Sequence, residues 1–391
     1  MAIGAGGYFI VIVGLKLIAQ DFGGVRWVPS VAYSVTMLGM GVGGIYIVRW
    51  SERVGVALPS LISIAMIIIG ALIASITTDR LVFLLSHGVL IGLLGNATLF
   101  SPLLANVARW FDRRRGLAIA VVTSSTSLAG IVWPEIFRFL IERDGWQKTY
   151  QLYALFALVT MVPLGFLLRP KAPIIRDADT HDQHTSTANV LGLKEKLALV
   201  LLSLAILGCC VAMATPIVHI VSYTTDLGYQ LSTATAILTV LLGFSFVGRI
   251  VWGAVGDKIG GLRLLLMSST SQAITLSLYL SIDSLIGLYI VSGLFGIAFG
   301  GTIPSYTLII SEHFPSRSTG RCIAIVYFFG ALGMAIGGWM GGLVYDLSGS
   351  YHGAFIISLI FNFTNLLIVG SLIRQQKKLG LKELSIHRSL S

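Results

Sequence analysis

The run Ala236–Gly260 reads AILTVLLGFSFVGRIVWGAVGDKIG. It is apolar apart from one full charge, Arg249, and ends in a charged turn, Asp257-Lys258-Ile259-Gly260. About 20 apolar residues in helical form cross a hydrocarbon core of about 30 Å, so the run predicts a membrane helix. A guanidinium keeps its proton, and in hydrocarbon it must reach a partner, water or the interface. A charge at that depth marks a candidate functional site. Snorkelling to the nearer interface is the competing reading, because Arg249 lies seven residues before Gly256, roughly 10 Å along a helix.

The rest of the chain has the same character. Of 391 residues, 55% are hydrophobic and only 11% charged, with a mean hydropathy of +0.87. A soluble domain carries about 25% charged residues, so this is a polytopic membrane protein. The alternating segments of a membrane barrel are absent. A net charge of +10 raises nucleic acid as a partner, but its distribution removes that class. Of 27 Lys and Arg, 20 fall in loops on one side and 4 on the other, and 3 (Lys16, Arg138, Arg249) lie within spans. That asymmetry assigns the rich side to the cytoplasm. Cys209, Cys210 and Cys322 show neither metal-ligand spacing nor a disulfide framework.

Apolar runs at about 1–20, 29–48, 55–77, 81–108, 117–141 and 150–168 form a first set. Those at about 195–222, 231–256, 262–281, 285–311, 321–345 and 353–373 form a second. The first run has no basic lead-in and no convincing cleavage site, so it reads as a retained span, not a signal peptide. The fold class expected is an all-α membrane protein with twelve transmembrane helices in two pseudo-symmetric six-helix bundles. Residues 1–168 make the N-terminal bundle, 169–194 a cytoplasmic linker, 195–373 the C-terminal bundle and 374–391 a basic cytoplasmic tail. The linker's Asp177, Asp179, His181, Asp182 and His184 read as solvated polar chain and not as a metal site.

The two sets repeat each other. Ser51-Glu52-Arg53-Val54-Gly55 matches Gly256-Asp257-Lys258-Ile259-Gly260 at an offset of 205 residues (260 − 55). Gly92 corresponds to Gly296 at nearly that offset, and the loop Arg109–Gly116 faces His313–Gly320. Duplicated helical halves mark a large class of secondary transporters, whose sites lie near the midplane between repeats.

In its two six-helix sets, its acidic-basic-x-Gly turns after the second and eighth spans and its long middle loop, the chain resembles the major facilitator superfamily. Lys16-Leu17-Ile18-Ala19-Gln20-Asp21-Phe22-Gly23 and Arg109-Trp110-Phe111-Asp112-Arg113-Arg114-Arg115-Gly116 are similar to stretches of its oxalate/formate and monocarboxylate transporter branch. The resemblance implies that Arg249 stands where that branch keeps a substrate arginine, and Lys16 where related carboxylate carriers keep a first-helix lysine. It also exposes two departures. Gly330 occupies the place of the oxalate exchanger's eleventh-span lysine, which favours monocarboxylates over substrates gripped at both ends. Ser245 replaces the Asp that animal-type carriers hold one turn before the arginine, which puts an Arg–Asp proton switch in doubt.

Other candidates are weighed against packing. His219 lies near the outer end of the seventh span, with Tyr223 one turn further on the same face. An imidazole there is a natural proton carrier or a satisfied structural donor. Asn96, Trp252 and Tyr327 are expected to line a central cavity, although packing explains any single aromatic equally well. Glu135 and Arg138, three apart on the fifth span, are expected to neutralise each other. For Glu52, Arg53, Asp257 and Lys258 the resemblance implies that the acidic residue contacts a neighbouring helix end and stabilises one access state, which helix-dipole physics supports; a plain topology signal is the alternative. The small residues of the eleventh span (Gly330, Gly333, Gly337, Gly338, Gly341, Gly342) allow close helix approach. Gly243-Phe244-Ser245 carries a protease-like Gly-x-Ser without an argued His partner, and it reads as packing.

The expectation is a carrier of a small organic anion of the monocarboxylate type, coupled to a proton or counter-anion and working by alternating access. An exporter of lipophilic compounds and a non-transporting membrane sensor are the alternatives. The chain is expected to be no enzyme and to need no cofactor or metal; it has no Gly-x4-Gly-Lys-Ser/Thr loop for ATP. Its partners are the anion, the coupling ion and membrane lipids, with no nucleic acid, and it is expected to be a monomer. Compact loops and short tails point to a bacterial inner membrane, with both termini cytoplasmic.

Overall fold

The computed structural model describes residues 1–99, 102–103, 106–107, 115–168, 189–191 and 193–389. The basic loop at 109–114 and the linker at 169–188 lie outside the described residues, as do the side chains of Glu52 and Asp257. What is described is almost entirely helical, as a chain in hydrocarbon must be when every backbone polar group has to be paired within its own segment. The one exception is a two-residue-per-strand hairpin, β1 (Asn189–Val190) and β2 (Leu193–Lys194).

The first span is made of α1 (Gly6–Val13) and α2 (Leu15–Asp21), which meet at Gly14. α3 (Trp27–Val54) and α4 (Ala57–Ile76) are the second and third. α5 (Arg80–Leu85), capped by the Asp79 carboxylate on the Val82 amide at 2.9 Å, runs straight into a π-helical stretch, π1 (Ser86–Asn96). α6 (Arg115–Leu167) carries the fifth and sixth spans, broken where Gly145 takes φ 82°, ψ 165°. Its apolar stretch of 43 residues would reach about 65 Å if straight, twice the hydrocarbon thickness, so it folds back. Trp133 and Tyr153, one on each arm, meet edge to face with ring centres 5.8 Å apart.

After the hairpin come α7 (Glu195–Asp226), α8 (Leu231–Ile259) and α9 (Gly261–Leu278). α10 (Leu285–Gly300) and α11 (Thr302–His313) make the tenth span, and α12 (Ser316–Ser348) the eleventh. The last helix, α13 (His352–Ser389), runs past residue 373, where hydropathy ends the span. Eight helices among the described residues are long and apolar enough to cross a membrane. The first and fourth spans fall short of that test because Gly14 and π1 interrupt them, and α9 because its middle is polar (Ser268 to Gln272). Large apolar side chains such as Ile76, Leu81, Leu167, Ile286 and Leu367 are exposed, as expected where lipid is the solvent.

The repeat is visible in the backbone. Gly55 (φ 88°, ψ 170°) and Gly260 (φ 79°, ψ 161°) end α3 and α8 in the same conformation, one that a side chain disfavours. Gly260→Ala is expected to lower stability by about 1–3 kcal/mol, read as a lower melting temperature in detergent; an unchanged melting temperature rejects the strain. Side by side, α3 crosses π1 as α8 crosses α10. Gly43 faces the Leu93 carbonyl, and Gly248, at the same 205-residue offset, faces the Ile297 carbonyl. A methyl group at either would overlap main chain.

Candidate functional site

The crossing at Gly248 fixes where Arg249 points. Its guanidinium lies at the seam between the helices before the linker and those after it. Nη1 donates one long hydrogen bond, 3.5 Å, to Thr126 Oγ1 on α6. Tyr8 on α1 and Tyr327 on α12 stand close enough to act on it electrostatically. The Tyr327 hydroxyl is itself tied to Thr307 on α11 at 2.7 Å. Arg249, Tyr8, Thr126, Thr307 and Tyr327 are each half-buried. Among the described residues no carboxylate pairs with it. A guanidinium has five N–H donors and one is used among the described residues, so the arrangement has the capacity to take a planar two-oxygen acceptor in a forked pair of bonds.

Of the side chains singled out as lining the site, Tyr327 joins Arg249, and Lys16, His219, Tyr223, Asn96 and Trp252 are engaged elsewhere. Lys16 Nζ pairs with Asp226 at 2.8 Å. Asp226, the last residue of α7, also takes a forked contact from Arg26, with Nη2 to Oδ1 at 2.8 Å. Arg26 donates to the Tyr351 hydroxyl at 2.9 Å and lies 3.6 Å over the Tyr345 ring. Burial alone would lower the pKa of that guanidinium; its bonds to Asp226 and Tyr351 outweigh the burial and raise it. His219 is fully buried, with Nε2 on the Gly338 carbonyl at 2.8 Å, Nδ1 without a partner among the described residues and its ring tilted against Tyr351. Tyr223 donates to Asp283 at 2.8 Å. Asn96 spends its amide on the Ile91 carbonyl of the π-helical turn at 3.1 Å, and Trp252 bonds the Ile297 carbonyl at 2.8 Å.

Glu135 and Arg138 pair at 3.0 Å, and Glu135 also accepts from Thr235 of α8 at 3.0 Å, across the seam. Ser245 turns its hydroxyl back to the Leu242 carbonyl at 2.6 Å, so the group one turn before Arg249 is engaged with its own helix. Arg53 and Lys258 are exposed at the helix ends. An apolar groove of about 340 Å³ lies away from all of this, against Ala2, Trp133, Phe137 and Phe156. The polar atoms near it are occupied: Trp133 Nε1 bonds the Ala2 carbonyl and the Tyr153 hydroxyl the Ile3 carbonyl. It offers an anion nothing.

Sequence reasoning missed Tyr8, Thr126 and Thr307, and also Arg26, Asp226 and Asp346. The first three carry no signal, since a hydroxyl in an apolar helix is ordinary. The charged three sit at helix ends, where charge is expected anyway.

Against known proteins, a family profile described as Major Facilitator Superfamily matches residues 1–231 and, again, 200–386. Monocarboxylate transporter 13 of Bos taurus is 26% identical over 86% of this chain and 77% of its own length. MFS-type transporter pynF of Aspergillus niger is 26% identical over 75% of this chain and 65% of its own. MFS-type transporter opdF of Penicillium oxalicum is 25% identical over 88% and 78%.

Proposed function

The chain belongs to the major facilitator superfamily, and from that membership we propose that it is a secondary active transporter for a small organic anion of the monocarboxylate type. The observation that carries the reading is Arg249, set at the seam between the two sets of helices with no carboxylate partner among the described residues. A carboxylate supplies the opposite charge and the two parallel acceptors that fit the guanidinium's fork. Tyr8, Tyr327 and Thr126 stand beside it, and the two helical sets, 1–168 and 195–373, rock about it. The name of the cattle relative agrees with this cargo class.

No carboxylate stands one turn before Arg249, and Ser245 is bonded back. Coupling therefore runs through a counter-anion or through a proton carried by another group, of which His219 is the buried candidate. Glu52, Arg53, Asp257 and Lys258 would act at the opposite face, that of the basic loops, linker and tail, which the positive-inside pattern places in the cytoplasm with both termini. A bacterial inner membrane suits the compact loops; the relatives named above are from cattle and fungi and do not bear on it.

Counterflow in liposomes tests the cargo. Vesicles loaded with unlabelled lactate, pyruvate, formate or oxalate are expected to accumulate the labelled monocarboxylates and to discriminate against oxalate. Accumulation of lipophilic dye with no anion movement would replace this reading with an exporter, and no movement of any solute would leave a sensor.

A further inference from the structure

Among the described residues, every hydrogen bond and ion pair between the two sets of helices lies at Arg249 or on one side of it. Outward from Arg249–Thr126 come Ser34 with the Ala335 carbonyl at 2.6 Å and Thr235 with Glu135. Last comes the cluster at the face formed by the loops at 22–26, 227–230 and 349–351. In that cluster the charges are segregated. Lys16 and Arg26 belong to the first set; Asp226 and Asp346 belong to the second.

Asp346 does not pair with a cation among the described residues. Its carboxylate accepts the backbone amides of Arg26 at 2.9 Å and Trp27 at 2.8 Å, the opening turn of α3. No side chain of α3's own N-cap does this. The helix thus takes its cap, and a negative charge at the positive end of its dipole, from the opposite set. Asp226 meanwhile bridges two cations on two different helices.

We propose that Asp226 and Asp346 form a two-carboxylate latch that holds this face shut, and that the charge of Asp226 sets how often the face opens. Separating the two sets breaks the Lys16 pair, the forked Arg26 pair and the α3 cap together, because all three cross the same seam. The latch is partly wet: the Asp226 side chain is 22% exposed and that of Lys16 35%, while that of Arg26 is 9% exposed. Water is at hand to hydrate Asp226 and Lys16 as they part, which keeps the open state within reach. The latch rests on the alternating-access reading but not on the identity of the cargo, and it is tested without any substrate.

The reporter is Ser34→Cys, a buried position beneath the cluster, labelled by a membrane-impermeant maleimide added from the latch face. The chain without the added cysteine gives the background. Asp226→Asn is expected to speed labelling on the order of tenfold, equivalent to about 1.4 kcal/mol in the opening equilibrium. Arg26→Gln, which removes the same ion pair from the other set, is expected to do likewise. With the latch intact, raising salt to about 1 M is expected to speed labelling, since the cluster is partly in water.

Should one single variant fail to yield folded protein, the other decides. Should both fail, the salt series decides. Unchanged labelling in folded variants, or a rate independent of salt, overturns the latch. Because no anion is present, a failed counterflow panel with a working latch discredits only the cargo, and the reverse result discredits only the latch.

Discussion

Arg249→Lys, which keeps the charge, is expected to lower monocarboxylate counterflow by about 10- to 100-fold, and Arg249→Ala to abolish it. The argument is geometric. An ammonium presents a point charge and cannot make two parallel bonds to one carboxylate. Losing one hydrogen bond to a charged group costs about 1.5–3 kcal/mol, which gives that range. A snorkelling arginine behaves otherwise: lysine snorkels as well, and Arg249→Lys would then transport as well as the parent. Both variants should keep the elution profile and melting temperature of the parent, because Arg249 makes one long bond to Thr126 and no ion pair among the described residues. Equal transport by parent and Arg249→Lys would remove Arg249 from the site.

Gly248→Val is the second large effect, and it acts on folding. A Cβ at Gly248 would stand 2.6 Å from the Ile297 carbonyl oxygen and 2.8 Å from the Ile297 Cα. Those atoms are helix main chain, so α8 and α10 must move apart. Overpacking of this kind costs about 1–3 kcal/mol or more, and the shift falls on the residue next to Arg249. Thermal melting in detergent is expected to drop sharply, with transport lost in whatever folds. Gly43→Val, the repeat-related position, should melt low in the same way while leaving α8 untouched. If both variants melt like the parent, the close helix crossing is not what holds these spans together.

The span count was legible because hydrocarbon thickness imposes one length on every crossing, and Gly55 and Gly260 announced the repeat by their identical settings. The breaks were not: π1 and the Gly14 join depend on local packing that hydropathy does not register. At the site, Arg249 was legible because a full charge in mid-span has few explanations. Lys16 was equally visible, but its partner, Asp226, lies 210 residues away at a helix end (226 − 16), where an acid draws no notice. The resemblance of Lys16 to the first-helix lysine of carboxylate carriers therefore meets a competing engagement in the structure. Tyr223 and His219 differ again: the i,i+4 spacing put them on one face, but what each meets there, Asp283 and Gly338, belongs to helices whose placement only the fold supplies.

The cap that Asp346 supplies to α3 has a spectroscopic consequence. The amides of Arg26 and Trp27 lose their acceptor whenever the two sets of helices part, and nothing in their own helix replaces it. Under the proposed alternating access, their deuterium uptake clocks the swing, in the unmodified chain and without a probe, and a cargo that biases it should change that clock from a distance.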